Sequence, residues 1–183
     1  MPDLAPRHDH DTAWDAAEYW ADILRAACTQ VEIAGSLRRK KRQVKDIEIV
    51  AEARIETDLF GGSKSGPWEI DRLVEGHLFA GKLSHRMPRR MGERYKALVD
   101  VESGIAIDLF VVRPPARWGA ILAIRTGPAT FSKELVTAAR RRGRRVVDGR
   151  LIIEATGATI ETPTEESFFR ACGVEWREPE ARR

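Results

Sequence analysis

Three acidic residues lie in segments where a carboxylate is expected to do chemistry. Asp46 and Glu48 are separated by one residue in the run 45–50, Lys-Asp-Ile-Glu-Ile-Val, and Asp108 is the one charged residue of the apolar run 105–112. In a strand, Asp46 and Glu48 point to one face and the two isoleucines to the other. Two carboxylates on one face repel each other, and a buried Asp108 would be costly without a partner.

Divalent cations that prefer hard oxygen ligands, Mg²⁺ and Mn²⁺, compensate such a cluster. The pattern therefore predicts a divalent-cation site formed by Asp46, Glu48 and Asp108. The residues alone also allow a second interpretation, in which Asp46 and Glu48 form an exposed strand face and Asp108 bonds to backbone at a strand end.

A phosphate-binding segment precedes the carboxylates. Gly35-Ser36 follows a short predicted strand and is followed by Arg38 and Arg39. A Gly-Ser turn can present backbone N–H groups to a phosphate, and the arginines can pair with it, although the turn alone could be an ordinary one. The order of strand, Gly-Ser turn, basic segment, carboxylate pair and strand aspartate provides the parts that a phosphoryl-type transfer needs.

The net charge of +3 conceals a segregated charge distribution. Residues 38–45, 85–90 and 139–145 are basic runs without an acidic residue. Such runs attract polyanions, although any single run could be a solvated face. For 139–145, a cationic helix C-terminus is the simpler alternative. Together, the three runs favour a phosphate-rich partner.

The composition excludes several classes of protein. With 183 residues and 43% apolar residues, the chain can form a core without disulfides or a structural metal. Cys28 and Cys172 form no motif and are predicted to be reduced and buried. No apolar run approaches the roughly 20 residues of a membrane span, and no signal segment is recognisable. We therefore expect a cytoplasmic protein that is not secreted and has no membrane partner.

The apolar patterning predicts an α+β protein with two domains at 12–118 and 119–183, after a disordered segment 1–11. A flexible loop is expected at 61–67, and Asp148-Gly149 predicts a hairpin turn. The predicted helices cover 12–29, 69–80, 118–124, 130–142 and 163–172, and the predicted strands cover 31–34, 44–51, 95–101, 105–112, 145–147 and 151–153.

The order of these motifs resembles the nucleotidyltransferase superfamily, whose signature is Gly-Ser, a spacer, Asp-x-Asp/Glu and a distant strand aspartate. Residues 35–39, followed by Asp46, are similar to family X DNA polymerases (DNA polymerase beta-like). So are residues 126–133, Thr-Gly-Pro-Ala-Thr-Phe-Ser-Lys, and 173–182, Gly-Val-Glu-Trp-Arg-Glu-Pro-Glu-Ala-Arg. The resemblance covers roughly residues 31–183. It implies a palm domain, a mixed sheet with flanking helices, then a small α/β thumb, as in minimal virus-like members.

The resemblance also implies a role for each matching position. Asp46 and Glu48 would bind two Mg²⁺ ions, for which Mn²⁺ can substitute. Asp108 would bind the catalytic ion and orient or deprotonate the primer 3′-OH. The implied nucleotide-binding residues are Gly35, Ser36, Arg39, Lys45, Thr126 and Gly127. The expected DNA-binding residues are Lys133 of the thumb and, from the basic run, Arg140, Arg141 and Arg144.

The expected activity is template-directed addition of dNMP from dNTP to a DNA primer, with gapped or primer–template DNA as partner and a monomer as the active form. Short-gap repair in a bacterial or phage-infected cell would suit it. Ser132 and Val136 stand where the family usually has Asn and Arg, which motivates an alternative, an untemplated nucleotidyltransferase acting on RNA, DNA ends or another acceptor. Glu48 stands where Asp is more usual, which motivates a third interpretation, a non-catalytic DNA-binding protein.

Overall fold

A computed structural model of the chain describes residues 6–55 and 68–183. The fold is α+β, with a mixed sheet and flanking helices, as predicted. The chain divides into two compact units. The N-terminal unit comprises Met1–Ile33 and Arg42–Val111, and the C-terminal unit comprises Ala34–Lys41 and Val112–Arg183. The boundary therefore lies before the predicted one at 118/119, and the Gly-Ser segment groups with the C-terminal unit.

The N-terminal unit is built on a five-stranded sheet with the strand order β2-β4-β7-β6-β5. The pairs β2–β4, β5–β6 and β6–β7 are antiparallel. A separate antiparallel pair joins β1 to β3. The elements of this unit are β1 (His8–Asp9), α1 (His10–Arg25), β2 (Cys28–Ile33), β3 (Gln43–Val44), β4 (Asp46–Ala53), α3 (Glu69–Phe79), β5 (Leu83–His85), a 3₁₀ turn (Pro88–Arg90), β6 (Tyr95–Asp100) and β7 (Ala106–Val112).

Helix α1 buries one face, because small and large apolar residues recur on it at helical spacing. Its buried residues are Ala13, Ala17, Trp20, Ala21 and Leu24. The predicted start at Thr12 is wrong, since the helix begins at His10 and its N-cap is Asp9, whose side chain accepts from the Asp11 N–H. The predicted disorder of 1–11 is also wrong for residues 8–11. Pairing of β1 with β3 orders His8 and Asp9, and residues 10 and 11 belong to α1. Residues 1–5 lie outside the described part.

The C-terminal unit combines four helices with a three-stranded sheet in the order β10-β9-β8. The predicted hairpin at Asp148-Gly149 is confirmed, because Val147 pairs with Arg150 across these two residues. Both residues have a positive φ, which such a two-residue turn requires. The elements of this unit are α2 (Gly35–Arg38), α4 (Trp118–Thr126), α5 (Ala129–Arg141), β8 (Arg144–Val147), β9 (Arg150–Ile153), β10 (Thr159–Ile160), α6 (Glu165–Cys172) and a 3₁₀ turn (Pro179–Ala181).

The core of the C-terminal unit lies among α4, α5, α6 and β9. It contains Ala120, Ala123, Phe131, Leu135, Ala139, Leu151, Phe168, Phe169 and Cys172. Helix α4 approaches the segment before α6 so closely that a Cβ at Gly119 would lie 2.0 Å from the carbonyl oxygen of Thr164. Glycine at this position therefore permits the contact.

Helix α6 begins later than the sequence pattern predicts. The pattern predicts a helix from residue 163, but the N-cap is Thr164, whose side chain accepts from the Ser167 N–H. The Thr164 N–H donates back to Oγ of Ser167, so a Thr-Ser pair forms the capping box.

Both cysteines are free and buried, as predicted, and burial raises the pKa of each thiol to about 12. Across residues 6–55 and 68–183, no helix has the length and apolar character that a bilayer crossing would need. The loop expected at 61–67 lies outside the described residues.

Candidate active site

Strand β4 presents Asp46 and Glu48 as the sequence pattern predicts. Both side chains are partly exposed, whereas Ile47 and Ile49 between and after them are fully buried. This alternation follows from the two-residue period of a strand, since the isoleucines face the core of the N-terminal unit. The carboxylates therefore share the opposite face of β4.

Asp108 lies on β7, which neighbours β4 in the sheet. Its Oδ1 accepts a hydrogen bond of 2.7 Å from the Tyr95 hydroxyl and one from Nη2 of Arg86. Asp108 is 16% exposed and Arg86 25% exposed, so the ion pair is only partly solvated. The Tyr95 ring also packs 5.2 Å from the Phe110 ring, which fixes its direction. Sequence patterns indicated neither Arg86 nor Tyr95 as partners of Asp108.

Asp46 and Asp108 are coupled electrostatically. Burial raises the pKa of the Asp46 carboxyl, and the negative charge of Asp108 raises it further. The positive charges of Arg86 and Lys45 act in the opposite direction on this pKa. An added cation beside such a carboxyl would stabilise its ionised form.

The donor set fits a divalent cation held by two carboxylates, with water or substrate oxygens completing its coordination. Within the part of the chain that the structure describes, no group of three or more His, Cys, Asp or Glu side chains is arranged to hold a metal ion. The three-carboxylate site therefore stays a prediction. Asp46 and Asp108 are nevertheless two mutually repelling carboxylates, and Mg²⁺ typically combines one or two carboxylates with substrate phosphates.

The raised pKa of Asp46 predicts how the stability of the protein depends on pH when no divalent cation is present. A carboxyl whose pKa is raised in the folded protein binds its proton more tightly there than in the unfolded chain. Its contribution to stability is therefore fully present when the pH is below the ordinary pKa of 3.8, and it is lost as the pH rises through the raised pKa. Asp46→Asn mimics the protonated form, so in EDTA it should raise the thermal midpoint at neutral pH. The gain should shrink as the pH falls toward 3.8.

Thermal unfolding of both proteins across this pH range measures the difference. The exposed Glu175→Gln is the matched loss of one charge and should show no such trend. An Asp46→Asn protein that is less stable than the wild type at every pH would contradict the charge balance described above.

The Gly-Ser segment forms α2 in the C-terminal unit. Gly35 is buried with a φ of 60°, a conformation that glycine adopts without a steric cost. Ser36 is partly exposed on this short helix. Arg39 donates from Nη1 to the carbonyl oxygen of Thr126, so two residues predicted to bind the nucleotide are in direct contact.

A buried ionic network, which the sequence pattern does not predict, joins α2 to α6 and to the C-terminal segment. Nη1 of Arg38 donates to Oγ1 of Thr126 at 2.8 Å and lies 2.9 Å from a carboxylate oxygen of Glu165. Arg182, which is fully buried, binds the same carboxylate through both terminal nitrogens at 2.6 and 3.2 Å. The guanidinium carbon of Arg182 also lies 5.0 Å from the centre of the Phe169 ring. The sequence feature that could have indicated this network is the Glu-Pro-x-x-Arg motif at residues 178–182, which ends in Arg182.

The Thr126-Gly127 turn links α4 to α5. Thr126 is fully buried, and the hydroxyl of Ser132 donates 2.7 Å to the carbonyl oxygen of Ile124 at the end of α4. Ser132 therefore uses its hydroxyl to close the end of α4. Among the described residues, the one cis peptide bond joins Pro114 to Pro115, so the Thr126-Gly127 turn contains none.

The basic residues near α5 divide into an exposed group and a structural one. Phe131, Leu135 and Ala139 form the buried face of the helix. Lys133 and Arg140 lie opposite that face, and Arg141 beside it, all three exposed.

The predicted DNA-binding residue Arg144 is placed differently. It is partly buried and donates from Nη1 to the carbonyl oxygen of Ala171 near the end of α6. One end of its guanidinium thus has a structural role.

Residues 121–183 match the family model described as DNA polymerase beta thumb. No curated protein matches the chain. The matched residues lie within the C-terminal unit and contain α5, the three-stranded sheet and α6. The match supports a protein similar to family X polymerases. The assignment of the N-terminal unit as a palm, and the comparison with virus-like minimal members, stay predictions.

Proposed function

We propose that the chain is a DNA polymerase of the family X type, which adds dNMP from dNTP to a primer 3′-OH with release of pyrophosphate. The observation that carries the proposal is the match of residues 121–183 to the DNA polymerase beta thumb. The carboxylates of the N-terminal unit supply the matching chemistry. Other enzymes share the Gly-Ser and carboxylate signature, so the thumb match favours a polymerase over them.

The N-terminal unit would carry the chemistry of bond formation. Asp46 and Asp108 would hold Mg²⁺ together with phosphate oxygens of the nucleotide, and Glu48 shares the face of β4 with Asp46. When bound, the ion would withdraw charge from the phosphate and lower the pKa of the attacking hydroxyl. Asp108 would orient the primer 3′-OH or accept its proton, a role that needs a carboxylate within hydrogen-bond reach.

Positive side chains would hold the triphosphate. Lys45 lies close enough to Asp46 to lower the pKa of that carboxyl, so its charge reaches the cation site. In the C-terminal unit, Ser36, Arg39 and the Thr126-Gly127 turn match the nucleotide-binding positions of the family, and the same role is proposed for them. Arg39 already contacts Thr126, which pre-orients the guanidinium at little further entropy cost.

DNA binding would rest on the exposed basic face of α5. The double change Lys133→Ala/Arg140→Ala should weaken binding to duplex DNA and make the salt slope, d log K/d log[salt], less negative by about two. Each removed phosphate contact releases roughly 0.9 fewer counterions. Fluorescence anisotropy with a labelled gapped duplex at several salt concentrations measures both quantities.

A double change outside this face provides the control. Arg170→Ala/Arg177→Ala removes two exposed arginines from the same unit and should leave the slope nearly unchanged. Equal losses for the two double variants would mean that α5 has no special part in DNA binding.

A second candidate is an untemplated nucleotidyltransferase. Ser132 favours it, because its hydroxyl is bonded to the Ile124 carbonyl oxygen and is turned to the protein's own backbone. Val136 provides no hydrogen bond for reading a base. Extension of a gapped duplex, a single strand and an RNA acceptor with each dNTP and NTP separates the candidates. A template-directed enzyme adds mainly the complementary dNMP to the gapped duplex, whereas equal addition to single strands would favour the second candidate.

A further inference from the structure

The backbone places Arg86 beside the carboxylate of Asp108. Arg86 follows β5, and its N–H donates 3.1 Å to the carbonyl oxygen of Ala97 on β6. Ala97 in turn pairs with Asp108 on β7. The Arg86 side chain can therefore reach across β6 to Asp108, from a basic run that the sequence analysis assigned to a polyanion.

Two donors converge on a single oxygen of Asp108. Arg86 donates to Oδ1 from Nη2, the Tyr95 hydroxyl donates to the same atom at 2.7 Å, and Nη2 lies 3.1 Å from the Tyr95 oxygen. The pair is 25% and 16% exposed, so water screens it less than a surface ion pair. The charge of Arg86 also lowers the pKa of Asp46, so it acts on both carboxylates.

We propose that Arg86 is an internal counter-ion of the Asp46–Asp108 pair and competes with the divalent cation for Asp108. This inference rests on the proposed function. A cation that takes Oδ1 of Asp108 must displace the guanidinium, and the ion pair therefore lowers the protein's affinity for the cation. Arg86 is a positioning residue in this scheme, since it acts through Asp108.

The competition is measured by Mn²⁺ binding, followed by electron paramagnetic resonance of the free ion, with no nucleotide or DNA present. Arg86→Gln should bind Mn²⁺ at least about tenfold more tightly than the wild type, because a positive charge at hydrogen-bond distance is removed. Arg89→Gln is the matched control, an exposed arginine of the same run, and should bind as the wild type does. Asp108→Asn should remove the gain from Arg86→Gln.

A second measurement does not depend on the cation. In EDTA, Arg86→Gln should lower the thermal midpoint by a few degrees, and by less when Asp108→Asn is already present. Equal effects in both backgrounds would overturn the counter-ion role. Equal Mn²⁺ affinity of wild type and Arg86→Gln would overturn the competition, while measurable binding in both would leave the proposed function intact. Absence of Mn²⁺ binding in every variant would overturn the competition and count against the cation site itself.

Discussion

Asp108→Asn is expected to reduce primer extension by at least about a thousandfold, equivalent to about 4 kcal/mol of transition-state stabilisation. Asparagine keeps the size of the side chain and removes the charge that would hold a cation and receive a proton. Rates should be compared under single-turnover conditions with saturating gapped DNA and dNTP. Binding of the DNA should change little, because the proposed DNA-binding residues on α5 are unchanged in this variant.

The control for this change is Glu52→Gln on the neighbouring strand β4. The Glu52 carboxylate accepts a hydrogen bond of 2.8 Å from the Thr29 hydroxyl and another from the Gln30 side chain, both on β2. Its variant should retain activity within a few fold. An Asp108→Asn protein that is folded, binds DNA and extends primers at the wild-type rate would exclude a catalytic role for Asp108.

Arg182→Ala is expected to have the largest effect on stability, about 3–5 kcal/mol of the free energy of unfolding. Arg182 is fully buried and supplies two hydrogen bonds to Glu165, which is itself 4% exposed. Its removal leaves Glu165 with Arg38 alone and opens space beside the Phe169 ring. Urea denaturation followed by tryptophan fluorescence reports the change, because Trp118 and Trp176 belong to the same unit.

The adjacent Arg183 provides the matched control, because it is exposed and its removal changes the net charge equally. Arg183→Ala should shift the free energy of unfolding by less than about 0.5 kcal/mol. The loss of unfolding free energy in Arg182→Lys should lie between those of Arg183→Ala and Arg182→Ala, because lysine keeps the charge but cannot donate two parallel hydrogen bonds to Glu165. A cost below about 1 kcal/mol for Arg182→Ala would show that the network contributes little to the C-terminal unit.

Local sequence patterns were sufficient to predict the features that depend only on neighbouring residues. The shared face of Asp46 and Glu48 follows from strand periodicity, and the turn at Asp148-Gly149 follows from the backbone freedom of those two residues. Both were predictable from the sequence, as were the buried cysteines.

Features that depend on distant contacts were not predicted. Arg38 meets Thr126 across 88 positions, and this contact helps to place the Gly-Ser segment in the C-terminal unit. Arg86 meets Asp108 across 22 positions. The start of α1 was missed because Thr12 is also a possible cap, whereas the observed N-cap is Asp9, which the pairing of β1 with β3 holds in place.

The measurement that tests the central claim most directly is filling of a one-nucleotide gap by the wild-type protein, opposite each template base in turn. With Mg²⁺, the proposed function predicts extension by one nucleotide, mainly the complementary dNMP, with pyrophosphate released in equal amount. EDTA should stop the reaction. The claim would be contradicted if gapped DNA were bound but no primer were extended, in Mg²⁺ or in Mn²⁺, with any of the four dNTPs.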